Sequence, residues 1–302
     1  IGGLCLAAAL WIVAAEDLIY SRGVDMTPWE QGLAVVTILG AVELTRRTTG
    51  WIIPILIVLA LTYVTWWGAG LDNVFRFAGL SVETVLYRSI YGDDALFGSI
   101  ARISVSFVFM FILFGAFLLR SGAGDFVILM ARALAGRIVG GPGLVAVISS
   151  GLTGTISGSS IANTVSTGVI TIPMMKRAGF PARFAAGVES AASTGGQLMP
   201  PIMGAGAFVM ASYTQIPYTH IVLVAFLPAL LYFLSVAFFV RIEARRLRFS
   251  TETAEETPPI LDIMRQGGIV LILPITALIT LLVAGFTPSY AAGVAILTVV
   301  GA

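Results

Sequence analysis

Charged, thiol and imidazole side chains are scarce in this sequence. Of its 302 residues 11% are charged, one is cysteine and one is histidine. Cys5 therefore cannot form a disulfide within the chain and has no second thiol with which to share a metal ion. Hydrophobic residues make up 58% of the chain, which is more than a water-soluble domain can place on its surface. The composition excludes a soluble domain and predicts a protein embedded in a lipid bilayer.

Two binding signals are also missing. The sequence contains no G-x-x-x-x-G-K loop for nucleotide phosphates, so any energy must come from ions or from a partner chain. Its net charge is +1 and its basic residues lie between apolar runs, so no nucleic-acid partner is expected. We expect no bound cofactor.

Apolar runs of roughly the length that crosses a bilayer as a helix recur along the chain and predict an all-α polytopic membrane protein. The mixed apolar and charged segments 72–95 and 124–138 predict interfacial helices, and the polar stretch 250–259 predicts a loop. The chain begins with Ile and stops within an apolar run, so we expect a piece of a longer protein. The predicted spans are 1–20, 30–44, 51–69, 98–119, 181–213, 218–240, 267–286 and one from 290.

Segment 141–176 is too long for one crossing and too short for two. Within it, 14 of the 20 residues from Ser149 to Gly168 are Gly, Ser or Thr. As a helix it would be about 50 Å long, which fits a re-entrant helical hairpin. A hairpin also places 13 of the 17 positive residues on one face, as the positive-inside rule expects of the cytoplasmic face.

The next span, 181–213, is interrupted by the sequence STGGQLMPPIMG. Its paired glycines and the prolines Pro200 and Pro201 disfavour helical geometry and remove backbone donors, so we predict a helix broken within the membrane. Free backbone groups at that depth are tolerated only where protein, water, an ion or a substrate satisfies them. The hairpin and the broken helix together indicate a transport site.

The runs Ser150–Phe180 and Glu189–Ala211 resemble the large membrane subunit of tripartite ATP-independent periplasmic (TRAP) transporters. The likeness is greatest to fused permeases that work with TAXI-type solute-binding proteins. It implies a multi-pass protein of the bacterial inner membrane that imports a small organic anion, a carboxylate, delivered by the periplasmic binding protein and driven by sodium.

The same resemblance implies a domain organisation. Residues 1–73 look like small-subunit scaffold helices, and residues 74–302 look like the first half of the transport subunit. Such permeases look to be built from inverted repeats that move as an elevator, each repeat with one hairpin and one broken helix. The second pair, and half of the transport site, would lie beyond Ala302.

Sodium prefers hard oxygen ligands, and carbonyl, hydroxyl and amide oxygens suffice for it. We hypothesise one sodium site formed by Ser157, Ser159, Asn163, Gly195, Gly196 and the backbone near Pro200. The alternative is that the glycines and serines only permit close helix packing. Helix ends at the hairpin can bind an anion, and the substrate candidates are Ser159, Ser160, Gly196 and Gln197.

Glu189 is the one carboxylate predicted deep within a span. It could carry a proton, or it could be hydrogen-bonded and orient the broken helix. Two other functions stay open: a passive channel, and an intramembrane serine protease that would use Ser157 and His220. A protease needs these two side chains within hydrogen-bond reach. We expect them at different membrane depths, about 10 Å or more apart given the thickness of the bilayer core, and so expect no enzyme.

Overall fold

The computed structural model describes residues 2–72, 74–92, 95–249 and 259–301. This part of the chain forms helices and contains no β-strand, which confirms the predicted all-α class. Most of the predicted polar loop, residues 250–258, lies outside the described residues. The chain divides into two compact units, Ile1–Arg102 and Ile103–Ala302.

Within the described ranges, three helices are long and apolar enough to cross a membrane. They are Ile52–Gly70, Ser99–Ala135 and Tyr218–Arg246. Shorter apolar helices occur at Gly2–Ala14, Gly267–Val283 and Pro288–Gly301. Together these helices provide the polytopic character that the apolar runs predict.

The first unit contains five complete α-helices within its described residues, and a sixth, Ser99–Ile103, begins in it and ends in the second unit. Helix α3 begins with a capping box, in which Thr27 Oγ1 accepts from Glu30 N and Glu30 Oε2 accepts from Thr27 N, and this arrangement fixes the helix start. The predicted interfacial segment 72–95 is helical only after Ser81, which caps α5. The five helices are α1 (Gly2–Ala14), α2 (Glu16–Arg22), α3 (Pro28–Thr49), α4 (Ile52–Thr62) and α5 (Val82–Ile90).

The second unit carries both elements of the predicted transport site. Its first three helices are joined by the π-helical turns Ser104–Val108 and Leu119–Ala123. The α-helices from α6 onward are α6 (Ser99–Ile103), α7 (Phe109–Leu118), α8 (Gly124–Ala135), α9 (Gly141–Ser157), α10 (Ser160–Arg177), α11 (Ala182–Gly195), α12 (Ala205–Thr214), α13 (Tyr218–Arg246), α14 (Ile260–Val283) and α15 (Pro288–Gly301).

Helices α9 and α10 form the hairpin predicted for residues 141–176. They pack side by side and are joined by a tight turn at Gly158 and Ser159. Gly158 has a φ of 59°, in the left-handed region that favours glycine. Ser159 caps α10, because its side chain accepts from Ala162 N at 3.3 Å. Entry and exit of the hairpin on one membrane face stays a prediction.

Helices α11 and α12 are the two parts of the predicted broken helix. After α11 the chain makes a short 3-10 turn, Gly196–Leu198, and resumes a helix only at Ala205. Pro201 lacks a backbone N–H, so it cannot donate the backbone hydrogen bond that would continue a helix at this point. The hydroxyl of Tyr218 lies 2.7 Å from Pro201 O and 2.8 Å from Ile202 O, so its one proton can be donated to either of two carbonyl groups at the break.

Candidate functional site

The tip of the hairpin is seated on the break between α11 and α12. A side chain at Gly158 would overlap the carbonyl oxygen of Met203. One helical turn earlier in α9, a Cβ at Gly154 would overlap the Cα of Gly196. Only glycine permits this approach of two backbones. Close packing, which the sequence left open as a reading of these residues, therefore accounts for Gly154 and Gly196.

A cavity of about 400 Å³ opens beside this junction. Ser157, Ser159 and Gln197 supply polar groups to its lining, and Phe111 and Phe208 supply part of its apolar wall. Two of the four predicted substrate residues, Ser159 and Gln197, thus face one space. A third joins them indirectly, because Gln197 Nε2 donates to the hydroxyl of Ser160 at 2.7 Å. The fourth, Gly196, packs against α9 instead.

Asn163 lies on α10, one turn beyond the tip, and is 0% exposed. Its Nδ2 donates to the carbonyl oxygen of Ser150 on α9 at 2.8 Å. Because a carbonyl can only accept, this contact fixes which amide atom faces Ser150. The other atom, Oδ1, is buried and has no hydrogen-bond partner within the described part of the chain. Buried polar atoms almost always have one, so this oxygen is available to a bound ligand.

Thr153 shows the same feature on the facing arm. It is 1% exposed, and its Oγ1 is a second buried oxygen without a partner among the described residues. Sequence reasoning did not single it out, because it is one of many hydroxyl residues between Ser149 and Gly168. The missing partner of Thr153 Oγ1 becomes evident only when the hydrogen bonds of each hydroxyl are compared in the structure. Most threonines of the hairpin donate to a backbone carbonyl of their own helix.

The proposed sodium ligands fall into separate groups. Ser157 and Ser159 lie at the tip and line the cavity. Asn163 lies next to Gly196, since a Cβ at Gly196 would be 3.0 Å from Asn163 Nδ2. At Gly195 a Cβ would instead overlap the ring of Tyr232 on α13, so close packing accounts for that glycine. Pro200 is half-buried within the break.

Glu189 is 0% exposed on α11, as its position within a span predicts. Its Oε1 accepts hydrogen bonds from Ser150 at 2.9 Å and from Ser193 at 3.1 Å. Thr167 Oγ1 lies 2.5 Å from the same oxygen, and Thr171 Oγ1 lies 2.5 Å from Oε2. These hydroxyls belong to α9, α10 and α11, so one carboxylate joins both arms of the hairpin to the first half of the broken helix.

The two residues of the protease alternative do not form a catalytic pair. The hydroxyl of Ser157 accepts from Ser159 N at 3.4 Å. His220 is exposed in the first turn of α13, and no hydrogen bond joins it to Ser157 in the described ranges. A serine nucleophile needs a base within hydrogen-bond reach, and this pair does not provide one.

Comparisons of the sequence with known proteins identify a family. Residues 36–301 match the family described as the tripartite ATP-independent periplasmic transporter, DctM component. Among curated proteins, the chain is similar to C4-dicarboxylate TRAP transporter large permease proteins. That of Rhodobacter capsulatus is 34% identical over 148 residues, which are 49% of this chain and 30% of the relative.

Two further relatives carry the same name. The protein of Pseudomonas aeruginosa is 31% identical over 185 residues, 61% of this chain and 43% of the relative. That of Vibrio cholerae is 27% identical over 249 residues, 78% of this chain and 54% of the relative. The chain thus spans about half the length, or less, of these relatives.

Proposed function

The chain belongs to the DctM component family of tripartite ATP-independent periplasmic transporters, and from this we propose that it supplies part of a permease that imports a small organic anion together with sodium. A carboxylate substrate is supported by relatives named for C4-dicarboxylates. A solute-binding protein of the TAXI type would deliver it at the periplasmic face of the inner membrane.

The observation that carries the sodium proposal is the buried, unpartnered Oδ1 of Asn163. An amide oxygen is a suitable ligand for sodium, and no charged ligand is required. The bond from Nδ2 to Ser150 holds the amide with Oδ1 directed away from that carbonyl. Asn163 would therefore bind the ion, with hydroxyl and carbonyl oxygens of the junction completing its shell. Thr153 joins the candidates because its Oγ1 is also free.

We place the substrate in the adjacent cavity. Ser159 caps α10 there, and the positive end of a helix dipole favours an anion. Gln197 Nε2 and the hydroxyls of Ser159 and Ser160 could donate to a carboxylate. Gln197 and Ser160 are close together, because Gln197 Nε2 donates to the hydroxyl of Ser160. The sodium ion at Asn163 and the anion in the cavity would then both lie next to the hairpin tip.

Elevator movement is also part of the proposal. The hairpin and the broken helix are joined by the contacts of Gly154 with Gly196 and of Gly158 with Met203, and by the hydrogen bonds of Glu189. Elements that share a backbone contact and a buried hydrogen-bond network move together more readily than apart. These two elements would carry the ion and the anion as one body.

The test is uptake by the full-length permease in proteoliposomes, with its solute-binding protein on the outside. Radiolabelled succinate and malate are the first probes. Uptake should need an inward sodium gradient and the binding protein. Sodium-independent equilibration would instead indicate a passive channel, and cleavage of a model peptide by the purified protein would indicate the protease.

A further inference from the structure

The cavity beside the hairpin tip has a polar end and an apolar end. At the polar end, the hydroxyls of Ser157 and Ser159 and the side-chain amide of Gln197 line the space. The start of α12 lies against these groups, because a Cβ at Gly204 would be 3.4 Å from Gln197 Cβ and 3.5 Å from Gly158 O. The polar end is therefore the place where the hairpin tip meets the helix break, and the proposed carboxylate would bind there.

The apolar end is formed by side chains of α7, of α12 and of the break. Along α12 the lining changes from Gly204 to Phe208 within about one helical turn, a rise of about 6 Å. Along α7 it changes in the same way. A Cβ at Gly115 would lie 3.7 Å from the Cα of Ser157, and Phe111 lies about one turn before Gly115. The apolar lining residues are Val108, Phe111, Ile112, Ile202, Met203 and Phe208.

The aromatic rings of the apolar end are held in place by packing. Phe208 stacks on Tyr218 with ring centroids 4.5 Å apart and planes 12° apart, and its ring centroid is 5.0 Å from that of Phe111. Phe111 and Phe208 are both buried. Close-packed side chains of this kind cannot turn aside without leaving voids. The apolar wall is therefore a fixed feature of the cavity.

A second negative charge on the substrate has no partner at the apolar end. In the part of the chain that the structure describes, no charged side chain and no histidine lines the cavity. The two carboxyl groups of a C4-dicarboxylate are separated by two carbon atoms, so with one carboxylate at the polar end the other would lie near the rings. A charge against apolar surface loses its hydration without replacement, whereas a hydrocarbon group in the same place gains by leaving water.

We propose that this cavity selects a monocarboxylate with an apolar body over a C4-dicarboxylate. The inference rests on the proposed function, because it takes the cavity as the substrate site. Ser159 and Gln197 would bind the carboxylate, and the hydrocarbon part would lie against Phe111, Ile112 and Phe208. A few placed polar groups would thus fix the orientation of the substrate, and the apolar lining would provide selectivity.

Direct binding to the permease tests this inference apart from the selectivity of the binding protein. Thermal unfolding of the purified full-length permease is measured at about pH 8, where carboxyl groups are ionised, and at constant sodium concentration with chloride as the balance. The probes are propanoate, butanoate, pentanoate, hexanoate and succinate. A ligand that binds the folded state raises its melting temperature by mass action, so the dependence on ligand concentration gives the affinity.

Two trends are expected in the wild-type protein. Affinity should rise about fourfold with each methylene group from propanoate to hexanoate, because each one is removed from water against the apolar wall. Butanoate should bind about tenfold or more tightly than succinate, which has the same number of carbon atoms and a second charge at the apolar end.

Two variants of Ile112 assign the trends to the apolar wall. Ile112 is 60% exposed, so its replacement leaves the buried rings in place. Ile112→Ala should reduce the rise in affinity from butanoate to hexanoate and leave succinate affinity unchanged. Ile112→Lys places a cation at the apolar end and should shift the ratio of butanoate to succinate affinity about tenfold toward succinate. Ile161→Ala is the matched control, because Ile161 is exposed on α10 and lies outside the described lining of the cavity.

The outcomes separate this inference from the proposed function. Succinate binding as tightly as butanoate would overturn the inference and leave anion binding in the cavity intact. An equal rise with chain length in Ile112→Ala and in the wild-type protein would mean that the hydrocarbon part binds elsewhere, and would also overturn it. Stabilisation by none of the acids would overturn the proposed anion site, and the inference with it. If Ile112→Lys does not fold, the chain-length series in the wild-type protein and in Ile112→Ala still decides.

Discussion

Asn163 on one arm of the hairpin donates from Nδ2 to the carbonyl oxygen of Ser150 on the other arm, at 2.8 Å. This bond joins the two arms, and it holds the amide so that Oδ1 is left without a donor in the described residues. A side chain that only stabilised packing would be expected to satisfy both ends of its amide. The proposed role of Asn163 in binding sodium rests on this unsatisfied end.

The contact between Gly154 and Gly196 should be sensitive to a single methyl group. Gly154→Ala would place its Cβ on the Cα of Gly196, and overpacking of this kind typically costs about 1–3 kcal/mol. Gly187→Ala is the matched control, because a Cβ at Gly187 meets nothing within 4 Å. It lies inside α11, where alanine should be neutral or stabilising by up to about 1 kcal/mol.

Thermal unfolding of the two alanine variants is the measurement. A lower melting temperature for Gly154→Ala than for the wild-type protein is expected, with no loss for Gly187→Ala. Equal melting temperatures would mean that the hairpin and the break can separate at little cost, which would contradict their proposed movement as one body.

Both ends of the hairpin should face the cytoplasm. In a Cys5→Ser background, cysteines at Ile138 and Arg177 should be protected from a membrane-impermeant thiol reagent added outside. Both sites are exposed to solvent or lipid in the structure. Gly140 is unsuitable, because its φ is 79° and a Cβ there would lie 2.7 Å from the Cβ of Ala244. Cysteine at Ile216, in the connection after α12, should react and serves as the positive control.

Labelling of only one of the two hairpin ends would exclude a re-entrant hairpin. Labelling of both, with Ile216 protected, would keep the hairpin and reverse the orientation that the basic residues predict.

Much of the second unit could be predicted from the sequence because glycine and proline act locally. Gly158 permits a left-handed turn, and Pro201 removes a backbone donor. The positions of the hairpin tip and of the helix break can therefore be predicted from these residue types alone. The apolar part of α14 begins at Gly267, where the predicted span begins. The helix itself begins earlier, at Ile260, but its first turns carry the polar Asp262 and Arg265.

The site could be predicted only in part because its geometry depends on packing. Nothing in the sequence states that Gly195 faces Tyr232 or that Thr153 lacks a partner, since both facts arise from neighbours distant along the chain. The four hydroxyls around Glu189 come from three helices for the same reason. The predicted boundary between residues 73 and 74 stays a prediction, and the family match begins within the first segment, at residue 36.

The substrate site should respond to charge at Gln197. Gln197→Glu is nearly isosteric and replaces a donor with a negative charge at the cavity. It should therefore weaken binding of an anion more than Gln197→Ala does. For uptake of succinate we expect the half-saturating concentration to rise by about tenfold or more, as loss of ~1.4 kcal/mol implies.

Sodium-induced thermal stabilisation, measured without substrate, is the control for both Gln197 variants and should be unchanged. A change in sodium stabilisation with normal succinate affinity would indicate that Gln197 contributes to the sodium site rather than to the anion site. Equal effects of alanine and glutamate would argue against a direct contact with a negative group.

Replacing Asn163 should weaken sodium dependence more than folding. Asn163→Ala removes the free Oδ1 together with the bond to Ser150, and a single buried hydrogen bond contributes about 1 kcal/mol to stability. If Oδ1 binds the ion, the sodium concentration for half-maximal uptake should rise by about tenfold or more, because each ~1.4 kcal/mol of lost binding is a factor of ten.

The control for this variant is Ser149→Ala, a neighbouring buried serine whose hydroxyl bonds only to Ala146 O within its own helix. It removes one buried hydrogen bond of α9 and leaves Asn163 untouched, so it measures the stability effect alone. Sodium half-saturation should be near the wild-type value in Ser149→Ala and raised in Asn163→Ala at similar melting temperatures. If the two variants instead lose stability alike and keep wild-type sodium dependence, the hairpin tip is structural and the ion binds elsewhere.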